Sequence, residues 1–92
     1  IHLDECHSTQ EYLKVQAEQG VIHVPALVST ENQTQGIGRR GNTWIDLGGA
    51  LCFSGLLTLK AAPTLVPLEI GTYLIQFFKE QWDVPLYLKW PN

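Results

Sequence analysis

Four short groups of residues in this sequence carry chemistry. Ser8-Thr9 places two hydroxyls at the start of an amphipathic stretch. At a helix N-terminus, such hydroxyls and the free backbone N–H groups can bind an anion, and Ser8 can equally serve only as the helix cap. Gln33 opens a run containing Gly36, Gly38, Arg39, Arg40 and Gly41. Glycines let the backbone come close to a ligand, and adjacent guanidiniums suit a carboxylate or a phosphate. The same run also reads as a hairpin tip with two solvated arginines. Trp44 follows, either a stacking surface or a partly buried aromatic. Last, Lys89-Trp90-Pro91-Asn92 could present a ring and an amide to a flat heterocycle, or simply end a strand.

No arrangement of Ser-His-Asp or Cys-His supports covalent catalysis. Cys6 and Cys52 are far apart and form no C-x-x-C pair, so they read as small buried hydrophobes. The histidines His2, His7 and His23 lack ligand spacing, so no metal site is expected. Lys+Arg number 6 against 9 Asp+Glu, a net charge of -3, and a nucleic-acid partner is therefore not expected. No apolar run approaches the roughly 18 residues of a membrane span, and no signal peptide opens the chain. The expected location is the cytoplasm.

The elements that must position these groups follow from pattern. The chain has 92 residues, of which 45% are hydrophobic, enough for one small globular core. Residues 1–5 read as a strand with Ile1 and Leu3 on one face. Ser8 and Glu11 form a capping box for a helix striped by Tyr12, Leu13 and Ala17, and Gly20 suits its left-handed end. Residues 26–31 alternate as a strand, residues 32–43 read as loop, and Gly48-Gly49 makes a turn. Residues 50–59 form the strongest strand, with Leu51, Phe53 and Leu57 on one face.

A second helix is expected over residues 65–81. Leu74, Phe77, Phe78 and Trp82 recur at helical spacing and would cover a sheet. Gly71 weakens that helix by about 1 kcal/mol unless close packing requires it. Residues 83–85 turn the chain, and Leu86 and Leu88 alternate in a final strand ended by Pro91. The order β-α-β-β-α-β implies an α+β (mixed α/β) domain, with a mixed sheet and helices packed on one face.

The order and spacing of these motifs resemble the biotin protein ligase family throughout the chain. That family reads S-T-N, then Q-x-x-G-R-G-R-R-G-x-x-W, then K-W-P-N-D. The resemblance implies a class II synthetase-like catalytic domain, of which residues 1–92 would be the N-terminal portion. It implies activation of biotin by ATP, with Mg²⁺, to biotinyl-5'-AMP. The biotinyl group then passes to a lysine on the biotin carrier domain of a biotin-dependent carboxylase. Ser8, Thr9, Gln33, Gly36, Gly38 and Arg39 would bind biotin. Arg40, Trp44, Lys89 and Asn92 would face the nucleotide. Arg39 and Arg40 would be the catalytic cations.

The sequence departs from the family pattern at Gln10, which stands for its asparagine, and at Ile37, which stands for the first arginine of its loop. The family's aspartate and a later lysine fall beyond Asn92. The domain is therefore expected to be incomplete, inactive in transfer by itself, and prone to self-associate through the edge of its last strand. A lipoate- or octanoyl-transferring enzyme on the same fold is the nearest alternative, and a non-catalytic binding or assembly fragment is another.

Overall fold

The computed structural model describes residues 1–60 and 62–89. It divides into two compact units, Ile1–Thr58 and Leu59–Asn92.

In the first unit, strand β1 (His2–Leu3) leads into helix α1 (Thr9–Glu18). The helix starts where the capping box requires. Ser8 is the N-cap, and its hydroxyl accepts the Glu11 N–H at 3.4 Å. Gly20, just beyond the helix, takes φ +71, a left-handed conformation that glycine adopts without strain. Strand β2 (Ala26–Thr30) returns beside β1 in parallel, and β5 (Cys52–Leu56) pairs with β2 antiparallel. The result is a mixed three-stranded sheet in the order β1-β2-β5.

Register decides which face is inside. Ala26 lies opposite Leu56, Val28 opposite Ser54 and Thr30 opposite Cys52. Directly opposed residues share a face, and α1 lies over this one. Val28 and Thr30 are fully buried there, and Leu13 and Ile22 complete the core, with Leu3, Tyr12, Ala26 and Leu56 around it. The apolar row Leu51, Phe53 and Leu57 does share a face, as its spacing requires, but it is the exposed one.

Residues 32–43 are not plain loop. Strand β3 (Gly36–Ile37) pairs with β4 (Thr43–Trp44), and a single 3-10 turn (Arg39–Gly41) joins them. A ladder two residues long has no alternation to reveal it in sequence. The Gly38 N–H closes the turn on the Asn42 carbonyl at 2.6 Å.

The second unit is built on helix α2 (Val66–Trp82). Phe77, Phe78 and Trp82 meet one another with ring centroids 5.1–6.0 Å apart. Gly71 is buried, and a Cβ there would stand 2.5 Å from a Leu88 methyl. Close packing therefore accounts for a glycine inside a helix. Asp83 ends the helix at φ 53, its side chain paired with Lys79. The strand expected over residues 86–88 is absent among the described residues. Alternation marks a segment that could pair, but a strand exists only with a ladder partner.

Candidate functional site

The first turn of α1, the segment after β2 and the inner face of β5 converge on one group of polar side chains. Gln33 sits at the centre. Its side-chain carbonyl accepts the Thr9 backbone N–H at 2.9 Å and the Thr9 hydroxyl at 3.3 Å. The Thr9 hydroxyl also lies 2.9 Å from the Ser54 hydroxyl. Thr9 and Ser8 are buried, so these bonds are shielded from competing water. The helix dipole adds to them, because Thr9 is the first residue of α1 and its N–H has no partner within the helix.

Gly36 explains why the loop needs glycine here. A Cβ at this position would stand 2.5 Å from the Gln33 amide nitrogen and 3.0 Å from Trp44 Cβ. Gly36 is buried, directly opposite Trp44 in the β3–β4 ladder. The Gln33 amide and the Trp44 side chain therefore occupy the space that any side chain would take.

These groups line an open cavity of about 260 Å³. That is slightly below the roughly 300–1,000 Å³ usual for small-molecule sites. Its lining combines polar residues, Ser8, Thr9, Gln10, Gln33 and Ser54, with apolar ones, Ile37, Trp44, Leu51 and Phe53, and the Cys52 thiol. A ligand with a hydrogen-bonding head and an apolar body fits such a surface better than a uniformly polar or uniformly greasy one.

Of the residues singled out from sequence, Ser8, Thr9, Gln33 and Trp44 all line this cavity, and Gly36 packs against it. Gln10 and Ile37, the two departures from the family pattern, line it as well. Gly38, Arg39 and Arg40 lie in the connection between β3 and β4, both arginines exposed. Arg40 takes φ 59, ψ 30, left-handed backbone that non-glycine residues adopt only at some strain. Lys89 is exposed in the second unit, and Trp90, Pro91 and Asn92 lie outside the described residues.

Sequence reasoning passed over Ser54 and Asp46, and read Cys52 only as a small buried hydrophobe. Ser54 and Cys52 face inward only because of the β2–β5 register, which no local pattern reveals. Asp46 left a usable signal, since Asp46-Leu47-Gly48 is the pattern of an aspartate turn. Its carboxylate accepts the Gly48 N–H at 2.8 Å and the Gln33 backbone N–H at 3.0 Å. These two bonds, Gln33's first, hold the Asp46 carboxyl below the usual carboxylate range. The Cys52 thiol lies 3.7 Å from the same carboxylate. Burial, and then the neighbouring Asp46 charge, push the Cys52 thiol up. Burial also raises Cys6. Both cysteines are free and half-buried, more accessible than their composition suggested. Neither has the depressed pKa of a nucleophile.

Among the described residues, no three carboxylate, thiol or imidazole groups stand together as a metal site. The described residues therefore make no protein cage for Mg²⁺. No helix among them is long and apolar enough to cross a membrane.

The sequence matches the biotin/lipoate A/B protein ligase family over residues 4–92. The structure is similar to the biotin acetyl coenzyme A carboxylase synthetase of Helicobacter pylori, solved with bound biotinylated ATP. The sequences are 31% identical and the TM-score is 0.83; the alignment covers 100% of this chain and 46% of that one. This chain thus spans less than half the length of that enzyme. The capped helix, the glycine-arginine hairpin and the cavity between them are arranged on the fold of that synthetase, and the chain belongs to the biotin/lipoate A/B protein ligase family.

Proposed function

We propose that this chain is the N-terminal portion of a biotin protein ligase catalytic domain and supplies its acid-binding pocket. The whole enzyme would join biotin to ATP as biotinyl-5'-AMP, releasing pyrophosphate. It would then pass the biotinyl group to a lysine of a biotin carrier domain, releasing AMP. ATP and biotin are substrates in this scheme.

The observation that carries the reading is the polar part of the cavity lining. Thr9 is buried and Gln33 and Ser54 are half-buried beside it, with the carbonyl end of the Gln33 amide engaged by Thr9. The donor end of that amide and the Ser54 hydroxyl suit the carbonyl and N–H groups of a ureido ring. A dithiolane ring, as in lipoate, offers neither. Sites built to hydrogen-bond a ligand reject analogues that leave those groups unpaired. Ile37, Trp44, Leu51 and Phe53 would take the apolar ring and chain. Arg39 and Arg40 would meet the carboxylate and the phosphate, where charge builds up as the bond to phosphorus forms. Catalysis would rest on positioning and charge stabilisation, with no enzyme-bound acyl intermediate.

The test is thermal protection of the full-length protein by biotin or by lipoate, each with ATP. Ligand at a hundred times its Kd adds about 2.7 kcal/mol of stability, so biotin should raise the melting temperature by several degrees and lipoate should not. Equal protection by lipoate would overturn the biotin reading in favour of a lipoate or octanoyl enzyme. Protection by neither would favour a fragment without ligand-activating function.

Gly36→Ala is expected to weaken biotin binding about tenfold, through loss of one or more hydrogen bonds worth about 0.5–1.5 kcal/mol each. The added methyl would stand 2.5 Å from the Gln33 amide nitrogen, so that amide must shift. Calorimetric titration with biotin measures the effect. Wild-type affinity in Gly36→Ala would show that Gln33 does not contact the ligand.

A further inference from the structure

We infer that Asp46 is a positioning residue of the acid-binding pocket, whose carboxylate holds the Gln33 backbone in place and thereby sets where the Gln33 amide meets the ligand. The inference rests on the proposed biotin reading for its consequence, but not for its geometry.

Three segments meet on this one carboxylate. Its Oδ2 accepts the Gln33 backbone N–H at 3.0 Å and lies 3.7 Å from the Cys52 sulfur on β5. Its Oδ1 accepts the Gly48 N–H at 2.8 Å, which fixes the turn between β4 and β5. Gln33 is otherwise tethered from the opposite side. Its neighbours bond to Cys6, with Cys6 N–H donating to the Asn32 carbonyl at 3.1 Å and Thr34 N–H to the Cys6 carbonyl at 3.0 Å. Gln33 thus lies between the segment joining β1 to α1 and the segment leading into β5, and Asp46 makes the second of these attachments.

The side chain then follows the backbone. With its N–H held by Asp46, Gln33 can reach the Thr9 N–H and hydroxyl with one carbonyl oxygen while its amide nitrogen packs over Gly36. A shift of the Gln33 backbone would carry its amide away from Thr9, where the contact to the hydroxyl is already 3.3 Å long. Asp46 is not among the residues that line the cavity. Its influence on the ligand therefore passes through Gln33. A group that aligns a binding contact, without touching the reacting atoms, changes binding of that substrate in the ground and transition states alike.

The experiment uses the full-length protein and the variants Asp46→Asn and Asp46→Ala. Asparagine keeps one acceptor for Gly48 but replaces the other with a donor, which meets the Gln33 N–H head on. Two readouts are taken. The first, independent of any ligand, is hydrogen exchange of the Gln33 backbone amide. It should quicken at least about tenfold in both variants, whereas the Gly48 amide should be lost only in Asp46→Ala. The second is the steady-state split: KM for biotin should rise about tenfold or more in Asp46→Asn, with kcat and the KM for ATP nearly unchanged.

Unchanged Gln33 exchange in either variant would overturn the inference. So would parallel rises in both KM values alongside a fall in melting temperature, which would mark a general structural role. If the wild-type protein fails to bind biotin, the biotin reading falls, while the exchange measurement still decides whether Asp46 holds Gln33. Should Asp46→Asn not fold, Asp46→Glu keeps both acceptors on a longer arm; Gln33 amide protection retained in Asp46→Glu but lost in Asp46→Ala would support the inference, and equal exchange in the two would overturn it.

Discussion

Leu13→Ala is expected to lower stability by about 2–5 kcal/mol, the usual range for removing a buried leucine side chain. The upper half of that range is expected here, because the core of the first unit has few members to share the loss. Leu13 is 5% exposed and packs with Ile22 and Val28. It is also the buried apolar residue by which α1 packs on the sheet, one turn beyond Thr9. A small domain has only about 5–15 kcal/mol of stability in total. Urea denaturation of the full-length variant measures the effect, and a loss below about 1 kcal/mol would show that α1 is anchored elsewhere. Because Thr9 rides on the same helix, ligand binding should weaken before global unfolding does.

Arg39→Ala is expected to do the reverse, harming retention of the adenylate far more than folding. A charge-assisted hydrogen bond to a phosphate is worth about 1.5–3 kcal/mol, so biotinyl-adenylate should leave roughly ten- to a hundredfold faster. Arg39 is exposed in the β3–β4 connection, and an exposed charge contributes little to the fold. Release is followed by trapping labelled adenylate, and stability by thermal melting. An unchanged release rate with a clearly lower melting temperature would refute this ordering.

The contrast between these two variants reflects what the sequence could and could not reveal. Helix α1 was legible because its signals are local: a capping serine, an apolar stripe and a terminal glycine act within a few residues of one another. The longer strands were legible from alternation. The arginine segment was legible as chemistry, through its glycines and guanidiniums, but not as a hairpin, since two-residue ladders leave no period. The buried face of β5 was not legible at all. Leu51, Phe53 and Leu57 are the apolar row, yet Cys52, Ser54 and Leu56 point inward, because pairing with Val28 and Thr30 decides the matter. The polar half of the pocket was hidden for the same reason. Ser54 reaches Thr9 across 45 residues of sequence, and Asp46 reaches Gln33 across 13. Residues 86–88 show the opposite failure, a good local pattern without a partner to complete it.

The parallel pairing of β1 with β2 has one more consequence. Parallel neighbours cannot be joined by a tight turn, so the chain must cross over between them, and α1 is that crossover. Thr9 stands at the start of the crossover and Gln33 just past the end of the strand it leads to, with Ser54 on the third strand. No shorter peptide, such as the helix alone or the arginine hairpin alone, brings these three side chains together. If this cavity is the ligand site proposed above, its polar group is complete only when both neighbours of β2 are in place, and a search for a minimal binding peptide within this chain should end near residue 56 rather than at any of its motifs.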